Sequence, residues 1–426
     1  MRAQQTDGSK VAFATVTCLF FAWGAVTSNN DPLIAALRAI YSLSYTEALL
    51  TQFAFFLAYG VVSLPAAALL DRFGHSRSIV VALGLMVCAC LLVLVASSFR
   101  TYALVLVALF ILAAGITALQ VAANPLAAAL GPPERSHFRL TFAQAFNSLG
   151  VVFGVHIGSR IMLSGDVFSG EGAAIADAAG RAAALAAVDR AFLIIAIFLG
   201  ALMVLILLSS RRIDAAAPPI AATVASPFAA LRSRWALLGA LAIFLYVGAE
   251  VSIGSIMINF LNQRDVLGVS LEEAGGMLAN FYWGGALVGR FIGSWLLTRV
   301  AAGKLLAGAA AMAAFLSLLA FTLEGPAAAY AALGVGLFNS IMFPTIFSLT
   351  LERSSAPASS TSGLLCMAIV GGAALPYLSG MVADSAGLAM AFIVPALAYL
   401  GIVFFAAAAA RARKQVGAEE AVVSPH

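Results

Sequence analysis

The sequence predicts an all-α membrane protein whose twelve transmembrane helices form two pseudo-symmetric halves of six helices each. Of its 426 residues, 62% are apolar and only 10% are charged, and the mean hydropathy is +1.02. A soluble protein needs a more polar surface, and the apolar runs have the length of helices without the alternation of a β-barrel. We therefore expect a chain that crosses the bilayer many times.

Twelve apolar runs follow one another, each near or above the ~20 residues that a helix needs to cross a bilayer. They are residues 11–37, 46–70, 77–98, 101–127, 139–163, 188–209, 235–262, 271–298, 303–323, 327–352, 361–384 and 387–410. Between the sixth and seventh runs, the Pro- and Ala-rich stretch 211–234 has the composition of a linker. We expect an N-terminal half at 1–210, a cytoplasmic linker at 211–234 and a C-terminal half with a short cytoplasmic tail at 235–426.

The basic residues predict the orientation of the chain. If the N-terminus is cytoplasmic, seventeen of the 23 Lys and Arg residues fall on the cytoplasmic side of the predicted spans. Cytoplasmic loops of membrane proteins carry an excess of such residues. Both termini are therefore expected in the cytoplasm.

The two halves resemble one another in the position of a polar residue and a proline. Gln120 precedes Pro125 by five residues in the fourth run, and Asn339 precedes Pro344 by five in the tenth. The two pairs are offset by 219 positions. Weak internal symmetry of two six-helix halves is typical of secondary transporters, which bind their solute near the middle of the membrane.

Two carboxylates lie well inside predicted spans, Asp31 in the first and Glu250 in the seventh. A buried carboxylate costs several kcal/mol unless it is paired, solvated or protonated, which makes both residues candidates for carrying a proton. Alternatively, Pro32 ends the first helix and leaves Asp31 in a loop, and Glu250 makes a structural hydrogen bond to a neighbouring helix. Tyr246 precedes Glu250 by four residues and shares its helical face, where Gly254 leaves room for a solute or a close helix.

Four amides interrupt apolar sequence in the fourth and fifth spans: Gln120, Asn124, Gln144 and Asn147. Gln120 and Asn124 are four residues apart, Gln144 and Asn147 are three apart, and a short turn joins the two helices, so the pairs are placed to converge. Amides donate and accept hydrogen bonds without charge, which suits a neutral polyhydroxylated solute. The alternative is that they hold helices together.

In the second half, Asn280, Trp283 and Asn339 are further candidates for solute contact, and Trp23 could serve similarly in the first span. A single aromatic in a membrane helix more often packs in the core or faces lipid. His156 is a candidate proton relay, because imidazole side chains can exchange protons at physiological pH, or it is a packed neutral histidine.

Charged residues after the second span and around the eighth could close the cytoplasmic side through salt bridges that break and reform during transport. They are Asp71, Arg72, Arg77, Arg290 and Arg299. Simple positive-inside anchoring is the alternative.

The sequence gives no reason to expect a metal or a cofactor. All four cysteines lie within apolar runs, which argues against a disulfide framework or a zinc site. We find no P-loop, nucleophile elbow or metal-ligand cluster, so a pump or membrane enzyme is poorly supported.

At these residues the chain resembles the major facilitator superfamily and, more narrowly, the fucose permease family of sugar:proton symporters, nearest its glucose/galactose and N-acetylglucosamine branch. The resemblance covers nearly all twelve spans and is carried by LFFAWGAVTSNNDPL (19–33), QVAANPLAAALGPP (120–133), FRLTFAQAFNSLG (138–150), YVGAEVSIGS (246–255) and FPTIFSL (343–349). It implies the major facilitator fold, location in a bacterial inner membrane, and a monomer that handles sugar and a proton, with sodium as an alternative ion.

Several positions depart from the fucose permease pattern. The family's acid in the first span falls on Asp31, but its acid in the fourth span falls on Gln120, which cannot titrate. Glu250 stands where the family has an amide, and Phe343 where it has a tyrosine. The resemblance therefore implies a sugar other than L-fucose, with Glu250 as the replacement titrating group.

Together these observations predict proton-coupled import of a neutral hexose or N-acetylglucosamine by alternating access. Asp31 would bind sugar and couple to the proton with Glu250, and the amides would hold the sugar. The alternatives are a proton-antiport exporter of small molecules, which the amide-rich rather than aromatic-rich site disfavours, and a sugar sensor that does not transport.

Overall fold

The computed structural model describes residues 2–43, 45–162, 178–217, 226–269 and 271–412, and every regular element among them is a helix. The chain divides into two compact units, Met1–Val224 and Ala225–His426. Their boundary falls inside the stretch 211–234, for which the sequence predicts a linker. Residues 218–225 of that stretch lie outside the described residues, and the linker remains a prediction.

Among the described residues, six α-helices form the N-terminal unit. They are α1 (Arg2–Ser28), α2 (Asn30–Tyr41), α3 (Tyr45–Phe99), α4 (Tyr102–Ala129), α5 (Ser136–Met162) and α6 (Ala178–Ala216). Helix α1 packs against α5 and α6, while α3 packs against α4 and α6. A 3₁₀ turn at Pro133–Arg135 connects α4 to α5.

The C-terminal unit contains more and shorter helices because several of its spans are interrupted. They are α7 (Arg234–Asn262), α8 (Leu271–Met277), α9 (Gly284–Leu296), α10 (Ala302–Thr322), α11 (Gly325–Asn339), α12 (Met342–Leu351), α13 (Ala358–Met367), α14 (Gly371–Ala386) and α15 (Ile393–Arg411). A π-helical segment, Leu278–Trp283, joins α8 to α9. Helix α7 packs against α12, α14 and α15.

The helices account for the twelve predicted runs. Ten helical stretches of the described chain are long and apolar enough to cross a membrane. One of them belongs to α3, which holds two runs because Gly74, at φ 80°, breaks the helical backbone between them. The remaining run is the continuous stretch Leu271–Leu296, formed by α8, the π-helical segment and α9.

Two spans are broken near polar residues. The first span ends as α1 at Ser28 and restarts as α2 at Asn30, so Pro32 lies in the first turn of a helix, where its missing N–H costs nothing. Pro32 thus follows the break and does not end a helix at Asp31. The tenth span breaks at Ser340–Ile341, directly after Asn339. In secondary transporters, such discontinuous helices form the solute and ion sites.

A buried arginine stabilises the end of a helix in each unit. Arg139 Nη1 donates to the carbonyl of Pro132 at 2.7 Å, beyond the end of α4. Arg353 donates to the carbonyls of Leu349 at 3.0 Å and Ala409 at 3.2 Å. Both arginines are about 5% exposed, and their buried guanidinium groups satisfy carbonyls at helix ends.

The contact between α1 and α5 depends on three glycines spaced four residues apart. A β-carbon on Gly150 would overlap the backbone of Phe21, and one on Gly154 would overlap the backbone of Ala25. A β-carbon on Gly158 would overlap the side chain of Asn29. Small residues at this spacing allow membrane helices to approach closely.

Replacing Gly154 with alanine is therefore expected to destabilise the protein by roughly 1–3 kcal/mol, because the added methyl group has no space and α1 must move away. The matched control is Gly200→Ala in α6, where no atom lies within 4 Å of the added carbon. Thermal unfolding in detergent should show a lower midpoint for Gly154→Ala only. Equal midpoints for the two variants would contradict the close helix contact.

Candidate functional site

In the N-terminal unit, two of the predicted amides come together across α4 and α5. The Nε2 of Gln144 donates to the Oδ1 of Asn124 at 3.4 Å, and both side chains are at most 5% exposed. The third amide, Gln120, lies one helical turn before Asn124 on the same face and donates from Nε2 to the Tyr59 hydroxyl of α3 at 2.6 Å. The buried end of α4 is thus lined by neutral polar groups.

Asn124 also carries a hydrogen-bond donor that its surroundings leave unused. The side chain is fully buried, and its Nδ2 has no hydrogen-bond partner among the described residues. Leaving a buried donor unsatisfied costs roughly 1–3 kcal/mol. A donor kept at that cost is available to a bound solute that brings an acceptor, such as a sugar hydroxyl.

The fourth amide of the set takes a different position. Asn147 Nδ2 donates to the Phe20 carbonyl of α1 at 3.1 Å, and its backbone lies against Gly24. This contact corresponds to the alternative expected from sequence, an amide that holds two helices together. Trp23 of the same helix is 3% exposed, and its ring lies 4.1 Å from that of Phe20, so the indole packs inside the unit.

Asp31 lies in the first turn of α2. Its side chain is outside the described residues, so its predicted role in sugar binding and proton coupling stays a prediction. The residues just before it are polar and buried. Asn29 Nδ2 donates to the Ala25 carbonyl at 2.5 Å, and its backbone carbonyl accepts from Leu33 N at 3.1 Å, which joins α1 to α2 at the break.

In the C-terminal unit, Glu250 and Tyr246 pair as their spacing predicts. The Tyr246 hydroxyl donates to Glu250 Oε1 at 2.7 Å, and the phenol ring is 1% exposed. The Glu250 residue itself is partly exposed. A carboxyl group thus lies in the middle of an apolar helix, on a partly exposed residue, and is hydrogen-bonded to a buried phenol.

A second tyrosine joins this pair to the break in the tenth span. The Tyr282 hydroxyl, on the π-helical segment, donates to the backbone carbonyl of Glu250 at 3.1 Å. It also accepts from Asn339 Nδ2 at 2.8 Å, and both Tyr282 and Asn339 are fully buried. The Oδ1 of Asn339 has no hydrogen-bond partner among the described residues, which leaves an acceptor in this cluster. Tyr399 of α15 is also fully buried, and its hydroxyl has no hydrogen-bond partner among the described residues.

The structure places Arg290 in this cluster. Its Nε donates to the Ser340 carbonyl at 3.1 Å, next to Asn339, and its charge acts on Glu250. The sequence predicts a gating role for Arg290, which is untested. Its position next to Asn339 places it in the same cluster as Glu250.

The side chains of two other candidates in the second half, Asn280 and Trp283, make no hydrogen bond to this cluster among the described contacts. Asn280 is exposed on the π-helical segment. Trp283 is 38% exposed and packs edge-on against Tyr282, with ring centroids 5.0 Å apart. Trp283 also fills the space beside Gly254, where a β-carbon would lie 3.4 Å from the indole. Gly254 therefore leaves room for the Trp283 side chain of the same unit.

The remaining predicted residues lie at helix ends or on exposed faces. Arg72 stacks on Phe73 at 5.4 Å and Arg299 on Trp295 at 4.3 Å, while Arg77 is exposed near Asp71 in sequence. Their role in closing the cytoplasmic side remains a prediction. His156 is exposed on α5, with Nδ1 3.0 Å from the Val152 carbonyl of its own helix.

Tyr59, Tyr282 and Tyr399 take part in these clusters and were not predicted. Each is a tyrosine within an otherwise apolar run, and a buried phenol needs a hydrogen-bond partner. That signal was present in the sequence. Many membrane tyrosines instead sit at the lipid–water interface, so the signal does not separate the two cases without the structure.

The described residues contain no group of three or more His, Cys, Asp or Glu side chains able to hold a metal ion. The four cysteines are free thiols. The described side chains of the two clusters offer neutral hydrogen-bonding groups, the Glu250 carboxyl group and the Arg290 guanidinium.

Comparison with known proteins assigns this architecture to a family. Residues 12–368 match the Major Facilitator Superfamily, and the chain belongs to it. The expected resemblance is thereby confirmed, together with the multi-pass helical fold and the class of protein, a membrane transporter and not an enzyme.

Named relatives narrow the comparison. The chain is 43% identical over 394 residues to the glucose/galactose transporter of Brucella abortus, covering 92% of this chain and 93% of the relative. It is 33% identical over 425 residues to the L-fucose-proton symporter of Escherichia coli, covering 95% and 94%. The crystal structure of the E. coli fucose:proton symporter superimposes with a TM-score of 0.83 at 28% identity, covering 95% of this chain and all of that one.

Proposed function

We propose that this protein imports a neutral sugar together with a proton, by alternating access. The observation that carries the proposal is the environment of Glu250, a carboxyl group within a membrane span that is held by Tyr246 at 2.7 Å and remains partly exposed. During alternating access, the surroundings of such a carboxyl group change between exposed and enclosed, which suits it to taking up and releasing a proton. Because the chain is similar to sugar:proton symporters, we propose that proton transfer at Glu250 drives the transport of sugar.

The amides supply the sugar contacts of the proposal. Asn124 offers a buried donor and Asn339 a buried acceptor, neither of which has a partner among the described residues. Gln144 contacts the first of these. Gln120, Gln144, Tyr246 and Asp31 are proposed to contact the sugar as well. Uncharged donors and acceptors match a neutral polyhydroxylated ligand better than an organic cation. Asn147 and Asn280 are weaker members of this set, since one holds α1 and the other is exposed.

The substrate we propose is glucose or galactose, with N-acetylglucosamine as the next choice. The relative with 43% identity is named a glucose/galactose transporter, and the departures at Gln120, Glu250 and Phe343 separate the chain from the fucose pattern. We also propose a monomer in the bacterial inner membrane with both termini in the cytoplasm, as the distribution of basic residues indicates. The gating salt bridges involving Asp71, Arg72, Arg77, Arg290 and Arg299 belong to the same proposal.

Uptake of radiolabelled sugars into proteoliposomes tests the function. Glucose, galactose, N-acetylglucosamine, fructose and fucose should each be offered with and without a pH gradient, acid outside, and with and without sodium. We expect accumulation of at least one of the first three only when the pH gradient is present. Sugar uptake unaffected by the gradient would refute proton coupling, and dependence on sodium would identify a different ion.

The same vesicles separate the competing functions. A sensor would bind sugar without transporting it. A proton-antiport exporter would transport an amphipathic cation in one direction while protons move in the other. Either result would refute the proposal of sugar import.

A further inference from the structure

Arg290 occupies a position created by a proline. Pro344 has no N–H, so the carbonyl of Ser340, four residues earlier, cannot receive its usual helical hydrogen bond. Arg290 Nε donates to that carbonyl at 3.1 Å. The break in the tenth span therefore provides an acceptor that holds the guanidinium of another helix.

Close packing fixes α9 against this break. A β-carbon on Gly289 would overlap the Leu337 carbonyl and the Ser340 side chain, and one on Gly293 would overlap Ile341. No side chain can separate α9 from the turn at these two positions. The backbone of Arg290 thus lies between two close contacts with the turn whose Ser340 carbonyl its side chain binds.

A chain of contacts connects the guanidinium to Glu250. Arg290 binds the Ser340 carbonyl, the neighbouring Asn339 donates to the Tyr282 hydroxyl at 2.8 Å, and that hydroxyl donates to the Glu250 carbonyl at 3.1 Å. The positive charge of Arg290 therefore lies in the surroundings of Glu250.

Among the described residues, the ionisable groups that interact with Glu250 are Tyr246 on its own helix, Tyr282 on the π-helical segment, Tyr399 on α15 and Arg290 on α9. The other helices around Tyr246 and Glu250 contribute the neutral side chains of Asn339, Phe343 and Leu375. Arg290 is therefore the one cation in this set.

We propose that Arg290 is a positioning residue for proton coupling: anchored on the carbonyl that Pro344 leaves open, it supplies the fixed positive charge against which the Glu250 carboxyl gains and loses its proton. The proton leaves as the carboxylate forms beside the cation and returns when the carboxyl becomes neutral. This inference rests on the proposed proton-coupled function and goes beyond it, since it assigns the opposing charge to a residue whose sequence position suggested a gate.

Infrared difference spectroscopy tests the inference without relying on sugar transport. The carboxyl band of Glu250 is identified in the purified full-length protein in nanodiscs as the band missing in Glu250→Gln. We expect Arg290→Gln to move its titration to higher pH by about one unit or more, because loss of a nearby cation favours the neutral carboxyl. Arg290→Lys keeps the charge and should titrate near the wild type.

Arg264→Gln provides the control, since Arg264 is exposed beyond the end of α7 and lies more than a Debye length of about 10 Å from Glu250 along the helix. Its titration should match the wild type. An unchanged titration in Arg290→Gln, or a Glu250 carboxyl that never changes state in either protein, would overturn the inference. A shifted titration in a protein whose sugar uptake ignores the pH gradient would leave Arg290 in its role and refute the proposed transport function instead.

Discussion

Glu250→Gln is expected to abolish proton-driven accumulation of sugar while preserving exchange of sugar across the membrane. Glutamine resembles the neutral, protonated carboxyl in size and hydrogen bonding, so the empty and loaded carrier still change conformation. The variant cannot release a proton, and a pH gradient no longer does work on it. With one proton per sugar, a gradient of one pH unit corresponds to about 1.4 kcal/mol, hence about tenfold accumulation, all of which should be lost.

The measurement is uptake of labelled sugar into proteoliposomes, followed by counterflow with the pH gradient collapsed. Tyr246→Phe is the companion variant, since it removes the 2.7 Å hydrogen bond to Glu250 and leaves the acid in place. It should change the pH at which transport is half-maximal and keep the accumulation. Accumulation retained by Glu250→Gln would move proton coupling to another acid, and Asp31→Asn in the same assay would test the main alternative.

Asn124→Leu is expected to weaken sugar binding strongly while leaving the protein as stable as before or more so. The wild-type side chain buries a donor without a partner among the described residues, and leucine removes that cost, which offsets the loss of the long 3.4 Å hydrogen bond from Gln144. A sugar hydroxyl then loses its donor. Such a loss costs roughly 1–3 kcal/mol, which is roughly a fivefold to hundredfold weaker affinity.

The combination of two readouts separates a binding residue from a structural one. Sugar affinity is measured by counterflow at varied concentration, and stability by thermal unfolding in detergent. Thr117→Val is the matched control, because Thr117 is fully buried on the same helix and its hydroxyl donates to Ala113 of that helix at 2.8 Å. If Asn124→Leu lowered the unfolding midpoint without changing affinity, Asn124 would be holding helices together and not binding sugar.

Much of the fold could be predicted because the bilayer imposes simple rules on the chain. Each span must be apolar for about 20 residues and must satisfy its own backbone hydrogen bonds. The twelve runs read from hydropathy all correspond to helices. Interruptions were harder to foresee. Pro32 suggested an end to a helix and lies at a beginning, and the π-helical segment at 278–283 has no clear signature in sequence.

The candidate site could be predicted where both partners lie on one helix, or on two helices joined by a short turn, as Gln144 and Asn124 do. Tyr246 and Glu250 share a face because they are four residues apart, and the structure joins them at 2.7 Å. Partners from different helices depend on how the helices rotate and approach, which spacing alone does not give. For this reason the contact of Asn339 with Tyr282 was missed, and Asn147, expected to converge with Asn124, contacts α1 instead.

The sequence by itself determined that this is a membrane transporter of twelve helices in two halves, with acids and amides as the residues of interest. Hydropathy and residue spacing are local properties of the sequence. In a bilayer they determine which segments form membrane-spanning helices, because each segment must satisfy its own backbone hydrogen bonds. Only the tertiary structure decided which polar groups face one another. Arg290 shows the difference most clearly: its charge and position along the chain suggested a gate. In the structure, Arg290 binds the Ser340 carbonyl that Pro344 leaves without a helical donor, and α9 approaches this turn closely at Gly289. These contacts place Arg290 in the cluster that contains Glu250.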